Sequence, residues 1–365
     1  MFLLQANTTS LINASDLQLI APELILTVCA CVALVMEVIL PYRKSKLTAY
    51  FSLIGVALAF LSLGLQWWTM GASLPYDGFY GMVRIDGFAL LFKAIFLVSA
   101  GLAIGISTRY LDIEGEQHGE YYSLILFATI GMMFLACGHD LISLYISLEL
   151  MALTFYVLVA FTKREKKSNE AAMKYFLLGA FSSGVLLYGM SLLYGVAGST
   201  NLGDIGNSLN DLVPRINGAL ETAQSGGGIA DQITGLRPML LLAMIALAAG
   251  LFFKVAAVPF HMWAPDVYEG APTSVTAFLS TGSKAASFAL YMRIFSEALG
   301  PMRADWAPLL GLVAAITIMV GNWAAVTQDN SKRLLAYSSI SNAGYLLLGL
   351  VAHNLYGSIG LIVYL

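Results

Sequence analysis

An all-α fold, a polytopic bundle of transmembrane helices, is what this sequence predicts, and three observations predict it. Apolar residues make up 58% of the 365 and charged residues only 11%, too few polar side chains to cover a soluble globule of this size. Apolar runs of about 20 residues, the length that crosses a hydrocarbon core, recur about eleven times. The remaining charges gather in short connections, apart from a few that stand inside the apolar runs. A net charge of -3 excludes the basic surface that a nucleic-acid partner requires.

The first span is expected at 17–40. The stretch before it, Met1 to Asp16, lacks the basic start of a cleavable signal peptide, so this span stays in the mature protein. Spans follow at 47–69, 86–107, 121–138, 140–161 and 171–197, separated by short polar or basic turns. Gly198 to Arg237, with its Gly226-Gly227-Gly228 run, reads as a long flexible connection. The seventh span begins at 238, reaches 258 and continues brokenly towards 270. The remaining spans are placed at 273–297, 306–327, 334–353 and from 355 onward. Tyr356 to Leu365 is apolar to the end, yet ten residues of helix reach only about 15 Å, half the core. The chain therefore reads as a fragment with its last span unfinished.

If the spans alternate, Arg43, Lys44, Lys46, Arg109, Lys163, Arg164, Lys166, Lys167, Lys332 and Arg333 collect on one side of the membrane. Arg84, Arg215, Arg237 and Arg303 collect on the other. The excess of positive charge marks the inner side, so the N-terminus and the Gly198–Arg237 connection are expected outside. Cys29, Cys31 and Cys137 show no metal or haem spacing and read as small apolar filler.

Several charges are not explained by topology. Glu149 stands about ten residues into the fifth span, where a lone carboxylate needs a cation or water. Lys174, about one turn into the sixth span, is the nearby candidate, although snorkelling to the surface also accounts for it. Lys254 precedes Pro259 by five residues, and that proline removes the hydrogen bond to the Val255 carbonyl. Pro265 and Pro272 follow, so the seventh helix is expected to be discontinuous. Non-helical backbone at membrane depth survives only beside protein or a hydrated cavity, and such breaks recur at transport sites. His261, just past the break, reads either as a proton relay or as a structural histidine.

Lys284 lies about twelve residues into the eighth span, too deep to snorkel easily. Thr273, Thr276, Ser280, Ser287 and Tyr291 share its helical stripe, which reads as the wall of a hydrated path or as helix-to-helix glue. Ser338, Asn342 and Tyr345 repeat the pattern in the tenth span, below Lys332, which is either part of the path or only topogenic. Lys93, Glu23 and Glu37 read as snorkelling or interfacial charges. Buried titratable groups that interact exchange protons as a set, so Glu149, Lys254 and Lys284 linked by water form a proton row. No nucleotide loop, Rossmann fingerprint or paired haem histidines accompany it, so the energy source is an ion gradient or a partner.

The run Lys254, Val258-Pro259-Phe260-His261, Trp263, Pro265-Asp266-Val267-Tyr268-Glu269-Gly270-Ala271-Pro272 and Ser283-Lys284 resembles the subunit N family of the proton-pumping NADH:quinone oxidoreductase, respiratory complex I. Arg84-Ile85-Asp86-Gly87-Phe88, Leu148-Glu149-Leu150, Lys174-Tyr175 and Lys332-Arg333-Leu334-Leu335-Ala336-Tyr337-Ser338-Ser339-Ile340-Ser341 extend the likeness over most of the chain. The wider antiporter-like family includes subunits L and M, sodium/proton antiporters and energy-converting hydrogenases.

The resemblance implies one membrane domain over 1–365: N-terminal helices to 120, a first five-helix repeat over 121–297, and an inverted second repeat starting at 306 and cut short. It implies a proton path through Glu149, Lys254 and Lys284 with Lys174 as the partner of Glu149. It implies redox energy delivered through subunits M, K and J in a bacterial inner membrane. It also implies no cofactor in this chain, because FMN, iron–sulfur clusters and most of the quinone site belong to other subunits. Two other functions remain open on the residues alone: a gradient-driven cation/proton antiporter, and a scaffold whose buried charges only lock packing.

Overall fold

The computed structural model describes residues 14–39, 45–71, 73–115, 118–224 and 235–365. Residues 1–13, Arg43, Lys44 and the Gly226–Gly228 run lie outside the described residues, so the expectations placed on them do too. The elements in order are α1 (Ala14–Leu19), α2 (Ala21–Ile39), α3 (Ser45–Met70), a hairpin of β1 (Tyr76–Gly78) and β2 (Val83–Ile85), and α4 (Gly87–Glu114). There follow α5 (Glu120–Cys137), α6 (Leu141–Val159), α7 (Lys166–Ala197), α8 (Leu202–Gln224), α9 (Leu236–Val255) and α10 (Trp263–Gly270). Next comes one long rod: α11 (Thr273–Phe278), a π-helical turn at Leu279–Ser283, α12 (Lys284–Met292) and a second π-helical turn at Arg293–Ala298. The chain closes with α13 (Arg303–Val326), α14 (Ser331–Ala352) and α15 (Leu355–Tyr364). Among the described residues, nine helices are long and apolar enough to cross a membrane.

Local chemistry sets the helix ends. Asp86 accepts from Ala89 N at 2.7 Å and opens α4, and Asp140 accepts from Ile142 N at 2.8 Å and opens α6, each satisfying a donor that the first turn leaves free. Gly198, at φ 76°, closes α7 in the left-handed conformation that glycine adopts without a Cβ clash. The surface is apolar, as a lipid-facing one is: Val38, Trp68 and Phe181 are exposed. Helices surrounded by lipid gain little from hydrophobic burial and associate through close packing. Gly131 shows this, since a Cβ there would lie 2.8 Å from Met151 N on α6. α5 is buried along most of its length among α2, α4, α6 and α12.

Two expectations need correction. The connection after α7 is not simply flexible: residues 202–224 form α8. Leu202, Ile205, Leu209 and Ile216 recur at helical spacing and are buried against the second π turn and its neighbours, while the intervening polar residues face out. Gly and Asn content masked that period. The break after Lys254 also has a different cause. α9 ends at Val255, before the proline, because Ala256 turns left-handed (φ 58°) and Ala257 N bonds Phe252 O at 2.9 Å. Pro259 lies in the non-helical segment 256–262 rather than kinking a continuing helix.

Candidate functional site

Glu149 is the ninth of the nineteen residues of α6. Its Oε1 is buried without a hydrogen-bond partner among the described residues. It lies within electrostatic reach of Lys254 on α9, whose side chain is 6% exposed and donates to Ser183 Oγ of α7 at 3.3 Å. Lys284, the first residue of α12 and also 6% exposed, donates to Ser339 of α14, at 2.5 Å to the carbonyl and 2.6 Å to Oγ. Both lysines are therefore buried and neither has a carboxylate within salt-bridge distance among the described residues. α7 packs on both α6 and α9, α9 packs on α12, and Lys284 of α12 bonds Ser339 of α14, so the three groups stand on neighbouring helices.

The two polar stripes face one another. Thr273, Thr276 and Ser280 of the rod and Lys332, Ser338 and Asn342 of α14 line a cavity of about 460 Å³, together with Ser339, the acceptor of Lys284. Lys332 Nζ donates to Ala271 O at 3.2 Å, so it holds the carbonyl end of α10 as well as lining that space. Tyr345 departs from the stripe and packs on Tyr364. Higher on the rod, Ser287 and Tyr291 are buried, and the Tyr291 hydroxyl donates to Ala248 O at 3.2 Å.

The break supplies the frame for Lys254. Trp263 Nε1 donates to Phe253 O at 2.9 Å, which satisfies one of the carbonyls that the helix end exposes. Trp263→Phe removes that donor while keeping an aromatic ring and leaves Phe253 O with the amide of Ala256, and is expected to cost about 0.5–1.5 kcal/mol, read as a lower thermal transition of the purified complex. His261 is half-buried in this segment, and its Nδ1 is buried without a partner among the described residues.

Lys174 is not the partner of Glu149. It bonds Asp266 Oδ2 of α10 and Glu170 Oε1, each at 2.8 Å, because from the ninth residue of α7 its partly exposed ammonium reaches the rim rather than the middle of the bundle. Arg333 bonds Asp266 Oδ1 at 2.9 Å and Glu269 Oε2 at 3.1 Å, and Lys167 bonds Glu269 at 2.9 Å. This ladder ties α7, α10 and α14 together around a polar cleft of about 150 Å³.

Two charged groups were missed or misread in the sequence. Lys93 and Glu23 do not snorkel: Nζ lies 2.6 Å from Oε1 and both side chains are fully buried, between α4 and α2. Hydrophobic runs hide such pairs because partners on different helices share no spacing. At the hairpin end, Arg293 donates to both oxygens of Asp86 (2.8 and 2.9 Å), to Glu297 at 2.7 Å and to Ala136 O. His139 Nδ1 lies 2.9 Å from Glu297 Oε2, and Arg84 Nη1 lies 3.8 Å from the same oxygen. Arg84 also bonds Asp77 at 2.7 Å, a hydrogen bond that holds the Asp77 carboxyl below the usual carboxylate range.

The family model of the NADH:quinone oxidoreductase/Mrp antiporter membrane subunits matches residues 138–365, which define the class: an antiporter-like membrane subunit. At the level of single proteins, the chain is 50% identical over 358 residues to NADH-quinone oxidoreductase subunit N 2 of Solibacter usitatus, covering 96% of this chain and 68% of that one. It is 45% identical to NADH-quinone oxidoreductase subunit N of Trichlorobacter lovleyi, covering 98% of this chain and 69% of the relative. A chain of respiratory complex I from Thermus thermophilus with bound aureothin superposes with a TM-score of 0.72 at 33% identity, over 94% of this chain and 67% of that one. A chain of the Mrp complex from Dietzia sp. shares the fold, with a TM-score of 0.76 at 21% identity over 95% and 61%. The chain belongs to the NADH-quinone oxidoreductase subunit N family. It spans about two thirds of the length of those relatives.

Proposed function

We propose that this chain moves protons across a bacterial inner membrane as a membrane subunit of an NADH:quinone oxidoreductase. Glu149, Lys254 and Lys284 carry the proton through a hydrated row. The observation that carries this reading is the pair of lysines, buried, bonded only to serine and backbone oxygens among the described residues, with a cavity lined by Ser339, the residue that Lys284 engages. A lysine kept only for packing would be held by a carboxylate, as Lys93 is.

His261 and Lys332 stand at the two edges of this row as candidate relays. Lys174 holds the rim ladder that fixes α10, and acts on the row through that frame. Energy comes from redox chemistry in partner subunits of the M, K and J kinds. FMN, iron–sulfur clusters and quinone are held by other chains of the complex. The basic end, with Lys163, Arg164, Lys167 and Lys332, faces the cytoplasm, and the N-terminus and hairpin face outward. Helices over 121–297 form the first repeat and those from 306 begin the second.

Lys254→Arg in the complete protein tests the titration itself. Arginine keeps the positive charge and does not deprotonate in proteins, so the variant is expected to assemble and to lose most proton translocation. Unchanged pumping with Lys254→Arg would remove Lys254 from the path. Pumping that depends on sodium would favour the antiporter reading.

A further inference from the structure

Ser339 of α14 stands between Lys284 and the cavity of about 460 Å³. It lines that cavity, together with Thr276 and Ser280 of the rod and Ser338 and Asn342 of its own helix, whereas Lys284 does not. The lining runs along α14 from Lys332, at the basic end, to Asn342, roughly 15 Å of helix, and the volume leaves room for several waters. Lys284 is 6% exposed, and its ammonium bonds the two oxygens of Ser339 among the described residues. A proton moving between the cavity and Lys284 therefore meets Ser339 on the way.

The two oxygens differ in what they can do. A carbonyl only accepts, so it serves the ammonium and offers nothing to a neutral amine. A hydroxyl carries one proton and two lone pairs. Toward the ammonium the Ser339 hydroxyl accepts, at 2.6 Å, and its own O–H is then free to turn elsewhere. Toward a neutral amine it can turn and donate, because the nitrogen lone pair accepts. It thus bonds Lys284 in either protonation state, which the carbonyl cannot do.

The other side of the hydroxyl is polar as well. Tyr268 of α10, 2% exposed, lines the same cavity, and its hydroxyl faces Ser339 without a hydrogen bond to it. Buried hydroxyls take a partner from protein or ordered water, and the cavity is where water can supply one. Ser339 O–H accordingly has Lys284 on one side and Tyr268 with the cavity on the other.

We infer that the Ser339 hydroxyl relays protons between the cavity and Lys284. In the loading step its proton passes to the neutral Nζ and forms an N–H bond. Oγ takes a proton from a hydronium arriving through the cavity, so one O–H bond of the serine breaks, one forms, and water remains. The serine ends unchanged and Lys284 carries the charge. This inference rests on the proposed proton row and on entry from the basic end.

The test uses the full-length chain in the assembled complex, in inverted membrane vesicles, with NADH oxidation, lumenal acidification and subunit content measured together. Ser339→Ala deletes the hydroxyl and leaves the carbonyl on Lys284. It is expected to assemble and to acidify the lumen at least about tenfold less per NADH oxidised. Ser339→Thr and Ser339→Val have nearly the same shape, the cavity takes the added methyl of each, and only threonine keeps a hydroxyl. At equal subunit content, Ser339→Thr is expected to recover most of the pumping and Ser339→Val to remain as low as Ser339→Ala, a split that a packing role would not produce. Pumping by Ser339→Ala equal to the parent's would show that water reaches Lys284 without the serine, and would overturn the inference. If Ser339→Ala does not assemble, the isosteric pair decides, and Ser339→Val pumping as well as Ser339→Thr overturns it equally. Should neither hydroxyl-free variant assemble, the hydroxyl is a structural bond and the inference falls. Lys284→Met run alongside separates the two levels. Loss of pumping there with normal pumping in Ser339→Ala sinks only the relay, whereas normal pumping in Lys284→Met sinks the row itself.

Discussion

Lys284→Met in the complete protein is expected to leave the complex assembled and to reduce proton translocation at least about tenfold, a barrier of about 1.4 kcal/mol or more. Methionine matches the length of the lysine stem and removes a charge that is costly to bury. The Ser339 carbonyl and hydroxyl that Lys284 engages are the partners lost, and the adjoining cavity offers them water. Stability therefore changes little while the titrating group disappears. A scaffold predicts the reverse: loss of the assembled complex, measured as subunit content in purified membranes, with transport intact in whatever survives.

The second large effect is expected at the buried pair on the other side of α5. Glu23→Gln alone leaves the Lys93 ammonium fully buried without its counter-charge, and Lys93→Met leaves the carboxylate so. Each single change is expected to destabilise by about 3–5 kcal/mol, read as a sharply lower thermal transition and reduced subunit content. The double variant Glu23→Leu with Lys93→Met replaces two buried charges with apolar groups and is expected to recover most of that loss. A double variant as unstable as either single would mean that the helices need the charges themselves. Lys93 and Lys284 thus behave oppositely, because one ammonium sits in dry contact with a carboxylate and the other among oxygens beside a cavity.

Most helices were legible because a run of about 20 apolar residues has few alternatives in lipid. The stripes around Lys284 and Ser338 were legible for a similar reason: hydroxyls at helical spacing in an apolar helix stand out, and the structure sets Thr276 and Ser280 across from Ser338 and Asn342. Pairings between distant helices were not legible. Lys174 is 25 positions from Glu149 and 92 from Asp266, and only the packed bundle shows that the ammonium meets the latter. Arg293 with Asp86 is separated by 207 positions, and Glu23 with Lys93 joins different helices. Spacing reports neighbours along a helix, whereas these contacts depend on which faces meet. α8 was lost for another reason: its apolar period is sound, but glycine, asparagine and an internal Pro214 read as loop when taken residue by residue.

The central claim is that water links Glu149, Lys254 and Lys284, and the direct measurement is a structure of the assembled complex at a resolution that places ordered waters. The account predicts a file of waters reaching Glu149 Oε1 and both ammonium groups, continuous with the cavity between the rod and α14. Lysines sealed against fixed counter-ions, with no water between them, would contradict it.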